Sequence, residues 1–507
     1  MRYLFLASTL LLYTFSFAEN YSALPLEQIA PKPSFDINNR YNRAYPDILY
    51  SVDVVAGGGN YPYRFELIEA PADVQLDESI GTIRWANPVE RDALYRFKVA
   101  ISDSSVEPQT LTAIWDVKVT KEGFMFVDSK NGSNGGSGTI DDPKLDFSDV
   151  YGGLSYESKY SERNKNKFIY FRSGRYKFDG YKEDARIQWT NRQPVVFLTY
   201  PKEVVEFDMS TTHLRSDTTL DNFYLEGVRV FQISNSEETT HEFHMGFRIS
   251  GGSKDVVFRN NRFQNLISSR DSWNQSVIMA NHEGAGRRWA FLNNYFGNIM
   301  HGFGILAYTI DHVAVQRNSF VSFADPAGQG TSHALGIKMN SENWYVNENT
   351  FDDIDNNAIW LYNAKQGGES YGNIDVSYNR IETSGAGFGI TFNDKNTDID
   401  LPLYIYRNNI IGNVRFIKVA ADTPNIILKD NAIESYDAEV FSCEGCSDES
   451  SVITQGNQFS TERGSLFRDR DGTVGAISKD TFSSSVGADI VYELNQPKNL
   501  EPRLETN

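Results

Sequence analysis

Four side chains in the middle of the chain are of types that can move a proton on a sugar: Tyr308, His333, Lys338 and Tyr362. A uronic acid residue inside a polysaccharide can be cut without water, by β-elimination. The reaction needs cations or amides against the carboxylate, a base for the weakly acidic C5 proton, and an acid for the departing glycosidic oxygen. Lysine or histidine serves as base when burial or neighbours depress its pKa, and tyrosine is a suitable acid. Lys338 or His333 is therefore the candidate base, and Tyr308 or Tyr362 the candidate acid. Arg287, Arg288, His282 and Asn340 are candidates for the carboxylate shell, and His301 for the rim. Trp360, Asn281 and Asn393 are candidates for sugar faces and hydroxyls. A lone histidine is more often a packed or surface residue than a catalyst. Here, however, His282, His301, His312 and His333 fall in one short window.

Such residues act together only if the chain folds so that position 282 comes near position 393. A recurring phrase supplies the means: a short strand, then Asn-x-Phe or Asn-x-Ile, as in VVFRNNRF, WAFLNNYF, VAVQRNSF, WYVNENTF, IDVSYNRI, LYIYRNNII, IILKDNAI and VITQGNQF. The marker asparagines are read as Asn261, Asn294, Asn318, Asn349, Asn379, Asn409, Asn431 and Asn457. A variable period of this size, built from strands, is the mark of a solenoid whose units bury their apolar faces only by stacking. The asparagines are expected to form a hydrogen-bonded ladder at one corner.

Aligning the strand that opens each coil puts Ile278, Ile305, Ile337, Ile359 and Ile390 inside. Side chains alternate faces along a strand. Met279, Leu306, Lys338, Trp360 and Thr391 then point out, followed two residues later by Asn281, Tyr308, Asn340, Tyr362 and Asn393. With coils about 4.8 Å apart, these rows would line a groove for carbohydrate.

Upstream, residues 36–120 alternate in short runs separated by Gly, Pro and Asp, the pattern of an antiparallel β-sandwich. Trp85, in Gly-Thr-Ile-Arg-Trp, reads as a core residue and not a sugar platform, and the module as an accessory or spacer. The Gly/Ser/Asn-rich stretch FMFVDSKNGSNGGSGTIDDP marks the boundary to a solenoid over 121–491, with a tail at 492–507. The opening MRYLFLASTLLLYTFSFAEN reads as a signal peptide over 1–18, followed by a linker at 19–35, so a secreted or periplasmic protein is expected. No later run is long and apolar enough to span a membrane. Cys443 and Cys446, in FSCEGCSDE, read as a small disulfide or a pair of thiols tying a turn, since a zinc site would need two further ligands.

The formal charge of −19 excludes a general nucleic-acid surface. It leaves room for an acidic polysaccharide held by a local cluster of cations. A monomer is expected.

Several of these stretches resemble known families. Pro62-Tyr63, Ala70-Pro71, the Gly81 to Trp85 run and Val99 to Asp103 resemble cadherin-like or Ig-like modules of bacterial surface and secreted proteins. The region from Phe124 to Val491, with its entry segment Gly136 to Pro143 and the strand Ile169 to Tyr176, resembles the pectate-lyase-like superfamily. That resemblance implies an all-β chain whose main domain is a right-handed parallel β-helix. Lys338 resembles the lysine of alginate-lyase and chondroitinase-B-like members, while Tyr362 stands where they carry an arginine. Their calcium, held by Asn and Glu, is the cofactor the resemblance implies, and Glu283 is the weak candidate ligand here. The expected activity is a polysaccharide lyase acting on an alginate-, ulvan-, pectate- or glycosaminoglycan-type polymer. A glycoside hydrolase on the same scaffold, with its two carboxylates, and a non-catalytic adhesin are the alternatives.

Overall fold

In a computed structural model of the chain, the structure describes residues 20–146, 167–177, 186–189, 194–209, 213–216, 219–231, 245–267, 275–280, 286–325, 328, 330, 332–363, 371–384, 387–394, 401–417, 426–435, 440–444, 452–462 and 466. The expected signal peptide and C-terminal tail lie outside them. Apart from one short 3-10 turn at Arg40–Asn42, the regular elements among them are strands.

From Phe124–Val127 onward the chain makes short strands that pair in parallel with the equivalent strand one coil on. They form sheets of 12, 11 and 10 strands among the described residues. In the 12-stranded sheet Val256 faces Trp289, then Val313, Trp344, Ile374 and Leu403. In the 11-stranded sheet the phenylalanines of the Asn-x-Phe phrases stack: Phe263 on Phe296 at 5.0 Å, Phe296 on Phe320 and Phe320 on Phe351 at 4.8 Å. This is the right-handed parallel β-helix, with one continuous apolar column inside it.

The asparagine ladder runs as expected, with one rung displaced. The backbone N–H of Asn261 donates to Asn294 Oδ1 at 3.0 Å, that of Asn294 to Asn318 at 2.9 Å, and so on through Asn349, Asn379, Asn408, Asn431 and Asn457. In LYIYRNNII the rung is therefore Asn408, and Asn409 opens the next strand. Each side-chain amide also donates to a carbonyl one coil back, as Asn349 does to Val315 at 2.8 Å. Buried corner groups are thus satisfied inside the ladder.

The N-terminal region forms a four-stranded sheet (Arg43–Ala44, Thr110–Val119, Tyr95–Ser102, Arg64–Glu69) and a three-stranded sheet (Tyr50–Asp53, Thr82–Trp85, Val74–Leu76). Trp85 is buried between them against Tyr50, Tyr95 and Phe97. The segment read as a linker is structural. Its Glu27–Ala30 strand pairs antiparallel with Val55–Gly57, and Leu24 and Ile29 are buried.

The module lies along the outer face of the 12-stranded sheet. Its core is continuous with Tyr170, Leu198, Tyr224, Val257, Ala290, Ala314, Tyr345 and Tyr404 of that face. Arg259, 2% exposed, reaches from the helix to Asp53 Oδ1 at 3.0 Å and Ser51 Oγ at 3.1 Å, and also pairs with Glu226. Gln316 Nε2 donates to Ala56 O at 3.0 Å and Tyr345 Oη to Glu27 Oε1 at 2.5 Å. Gly57 has to be glycine because a Cβ there would lie inside the Tyr345 ring, 2.0 Å from Cδ2. At the far end Tyr21 stacks on Tyr406 at 4.9 Å and donates to Asp430 at 2.6 Å.

Candidate active site

The 10-stranded sheet carries the candidate residues on its outer face. The strands Ser276–Ala280, Phe303–Tyr308, His333–Lys338, Asn357–Asn363 and Phe388–Asp394 are consecutive neighbours there. The register differs from the alignment of isoleucines. Ile305 faces Leu335, and Ile337 faces Ala307 on one side and Leu361 on the other. The strand of Lys338 is shifted by two residues, which keeps every side chain on its expected face. Lys338 therefore lies directly between Tyr308 and Tyr362, with Asn393 one coil further on. Gly336, and not Lys338, shares the row of Leu306, Trp360 and Thr391.

Met279, Phe303, Leu306, Tyr308 and Trp360 form an apolar cluster on this face, with Met339 and Tyr362 packed against it. Gly336 makes the space for it: a Cβ there would meet Phe303 Cε1 at 2.7 Å and Cδ1 at 3.0 Å. Lys338 reaches over the gap so that Nζ lies 4.5 Å from the Trp360 ring centroid, 5.2 Å from Phe303, 5.3 Å from Tyr308 and 5.7 Å from Tyr362. It donates to Tyr308 Oη at 3.4 Å. Among the described residues no carboxylate pairs with it.

The electrostatics follow from that enclosure. Lys338 is 5% exposed, and burial pushes its ammonium pKa down to about 8, because a charge without a counter-charge is costly away from water. Burial, and then the neighbouring Tyr362, push the Tyr308 phenol well up, so it is a proton donor and not a phenolate. His333 packs at 4.8 Å from Phe303 and 4.6 Å from Trp360. Burial, and then the charge of Lys338, bring its pKa down to about 3.

Other expected residues are placed differently. Arg287 and Arg288 belong to Gly286–Leu292, a strand of the 12-stranded sheet under the N-terminal module. Arg288 is engaged by Asp255 at 2.7 Å, and Arg287 lies 2.6 Å from His312 Nε2, which places them in the module interface and not at the Lys338 face. They follow His282 closely in sequence, but their strand belongs to a different sheet from the Ser276–Ala280 strand. His312 is held there by Glu27 at 2.5 Å and Asp311 at 3.1 Å.

Asn340 is not an outward strand residue. The strand ends at Lys338, and Met339 and Asn340 both take left-handed conformations (φ 39 and 50) in a corner closed by Ser341 Oγ donating to Lys338 O at 2.8 Å. His301 sits at the corner before Phe303, with Nδ1 3.4 Å from Asp325 Oδ1. Asn281, His282 and Glu283 lie outside the described residues. Phe303, Gly336 and Asn357 complete the site and were not singled out in the sequence. Phe303 and His333 each stand five residues before Tyr308 and Lys338, so the correct register would have paired them.

Calcium takes six to eight oxygen ligands, mostly carboxylate. Among the described residues no group of three or more His, Cys, Asp or Glu is placed to hold a metal, and the cluster beside Lys338 is made of aromatic rings and the apolar chains of Met279, Leu306 and Met339. These residues do not fit a calcium site. Cys443 is disulfide-bonded, and no helix among the described residues is long and apolar enough to cross a membrane.

No protein-family model matches the chain, and no curated protein does. Among solved structures, a GH136 lacto-N-biosidase from Eubacterium ramulus is similar over 67% of this chain and 68% of its own, at 10% identity and a TM-score of 0.32. The periplasmic alginate epimerase AlgG is similar over 57% of this chain and 84% of its own, at 12% identity and a TM-score of 0.27. Extracellular cadherin domains of protocadherin gamma B2 match 20% of this chain at 20% identity and a TM-score of 0.16; this chain covers 26% of theirs. The parallel β-helix rests on the strand register described above, and no reaction or substrate is taken from these likenesses.

Proposed function

We propose that the protein is a carbohydrate-active enzyme that cleaves a uronic-acid-containing polysaccharide by β-elimination, with Lys338 as base and Tyr308 as acid. The observation that carries this reading is the Lys338 amine: desolvated, with no carboxylate partner among the described residues, and 3.4 Å from a phenol on the preceding coil. With a pKa near 8, a useful fraction of the amine is neutral at mild pH and can accept a proton. In the step, Nζ takes the C5 proton, the C5–H electrons form the C4=C5 double bond, and the C4–O bond breaks. The leaving oxygen takes the Tyr308 proton. The Lys338 ammonium then returns a proton across its contact with Oη, which resets both groups with no net proton change and no water. The half-buried Tyr362 ring offers a face for a sugar ring, and Asn393 an amide for hydroxyls, while Trp360 is buried and backs the lysine. A hydrolase needs two carboxylates about 5 to 9 Å apart, and none of the side chains described around Lys338 is one.

The test is a panel of alginate, pectate, ulvan and glycosaminoglycans, followed by the ultraviolet absorbance of the unsaturated product. Absorbance should rise on at least one polymer, and Tyr308→Phe should cut the rate at least a hundredfold. New reducing ends without that absorbance mean hydrolysis, and silence on every uronic polymer rejects the proposal.

A further inference from the structure

Three buried side chains from consecutive coils run in a line beside Lys338. The backbone N–H of Asn357 donates to His333 Nδ1 at 3.3 Å, and the Asn357 side chain lies 3.0 Å from the same nitrogen. Thr391 Oγ1 is 2.7 Å from Asn357 Oδ1. The exposures of His333, Asn357 and Thr391 are 2%, 7% and 5%.

The protons can be assigned from these contacts. A backbone N–H can only donate, so Nδ1 of His333 must present its lone pair. In a neutral imidazole the ring proton then sits on Nε2. The side-chain atom of Asn357 that faces Nδ1 must also donate, so it is Nδ2, and Oδ1 turns toward Thr391. The threonine hydroxyl therefore donates to Oδ1 and fixes the amide. A second proton on Nδ1 would face two donors at once, so the imidazolium is excluded by hydrogen bonding as well as by burial. The groups that reach His333 electrostatically are Lys338 on its own strand, which opposes a positive charge there, and Asp325 with the Gly330 backbone from the preceding corner, which favour it.

We propose that Asn357 and Thr391 are positioning residues: they hold His333 as a neutral imidazole protonated at Nε2, wedged between Phe303 and Trp360, so that Lys338 and not His333 handles the substrate's proton. The last clause rests on the elimination reading above; the tautomer does not. The neutral ring keeps Phe303 and Trp360 in the places from which they face Nζ. It also keeps a second cation away from the amine.

The experiment uses the full chain with ring-15N-labelled histidine, the His333 signals being assigned by their loss in His333→Gln. Between pH 5 and 9, Nδ1 should keep an acceptor-type shift and Nε2 a protonated-type shift, neither of them titrating. Asn357→Asp replaces the donor by a carboxylate. His333 should then take up a proton within that window, and kcat on the polymer cleaved by the wild type should fall at least tenfold with KM within about twofold. Thr391→Val should shift the same signals partway, and Thr391→Ser should restore them. A wild-type His333 that carries its proton on Nδ1, or that titrates in the window, overturns the proposal. So does an Asn357→Asp enzyme with wild-type ring shifts and kcat. If the wild type turns over no uronic polymer, the elimination reading fails while the ring shifts still decide the tautomer.

Discussion

Replacing Lys338 by methionine separates a working lysine from a merely packed one. Methionine has a similar length, is apolar and suits the ring-lined gap. The ammonium pKa falls from 10.5 to about 8 on folding, and each unit is worth about 1.4 kcal/mol. Burying the charged form thus costs on the order of 3 kcal/mol wherever the lysine is protonated in both states. The sign follows from proton counts: between about pH 8 and 10.5 the unfolded chain binds the proton and the folded one does not, so wild-type stability rises across that window. Below it the penalty is constant and complete. Lys338→Met should therefore be more stable than wild type at pH 7, by about 1 to 3 kcal/mol once lost contacts between the amine and the rings are allowed for. The advantage should shrink as the pH is raised toward 10. Urea unfolding of both proteins at pH 7 and 9.5 measures it, alongside a rate on the cleaved polymer that should be abolished. A variant less stable than wild type at pH 7, with a difference independent of pH, would show the amine to be compensated in the fold and refute the reasoning.

Gly336→Ala should leave the fold intact but push the Phe303 ring from its place, since the new Cβ would lie 2.7 Å from Cε1; a cost of about 1 to 3 kcal/mol in urea and at least a tenfold loss of turnover are expected. Asn349→Ala removes a rung that accepts from the backbone and side chain of Asn318, and the stranded buried donors should cost about 2 to 4 kcal/mol in urea unfolding. At His312 burial lowers the pKa, but hydrogen bonds to Asp311 and Glu27 prevail and raise it from 6.5 to about 9. Its contribution to module docking, at most about 3 kcal/mol, is complete below pH 6.5 and is lost as pH rises through 9. Limited proteolysis of the module should accelerate over that range in wild type and not in His312→Gln.

The β-helix was legible because Asn-x-Phe and Asn-x-Ile recur at one corner of each coil, where the chain has to satisfy the same buried groups again and again. Register was not. Isoleucine, leucine and alanine all serve as inward residues, so matching Ile337 to Ile305 looked as good as matching it to Ala307, and a slip of two leaves the inside–outside pattern unchanged. That slip hid the pairing of Phe303 with His333. Arg287 and Arg288 were misplaced because residues close in sequence can stand on different sheets, as Ser276–Ala280 and Gly286–Leu292 do. Docking of the N-terminal module did leave a trace. In VVF, WAFL and LYIY both faces of the strand are apolar, as in sheets covered on both sides.

The long contact between module and helix changes how the molecule comes apart. A bare solenoid is held by nearest-neighbour contacts and can unwind coil by coil from an end. Here Asn39 is tied to Asn222 at 2.7 Å, Arg259 to Asp53 and Tyr21 to Asp430. One module thus spans coils that are about two hundred residues apart in sequence, 222 to 430. The coils between those ties, which include every strand around Lys338, are splinted. They should open together in one transition and resist flexing along the axis, which would give the polymer of the proposed function a straight, inextensible bed.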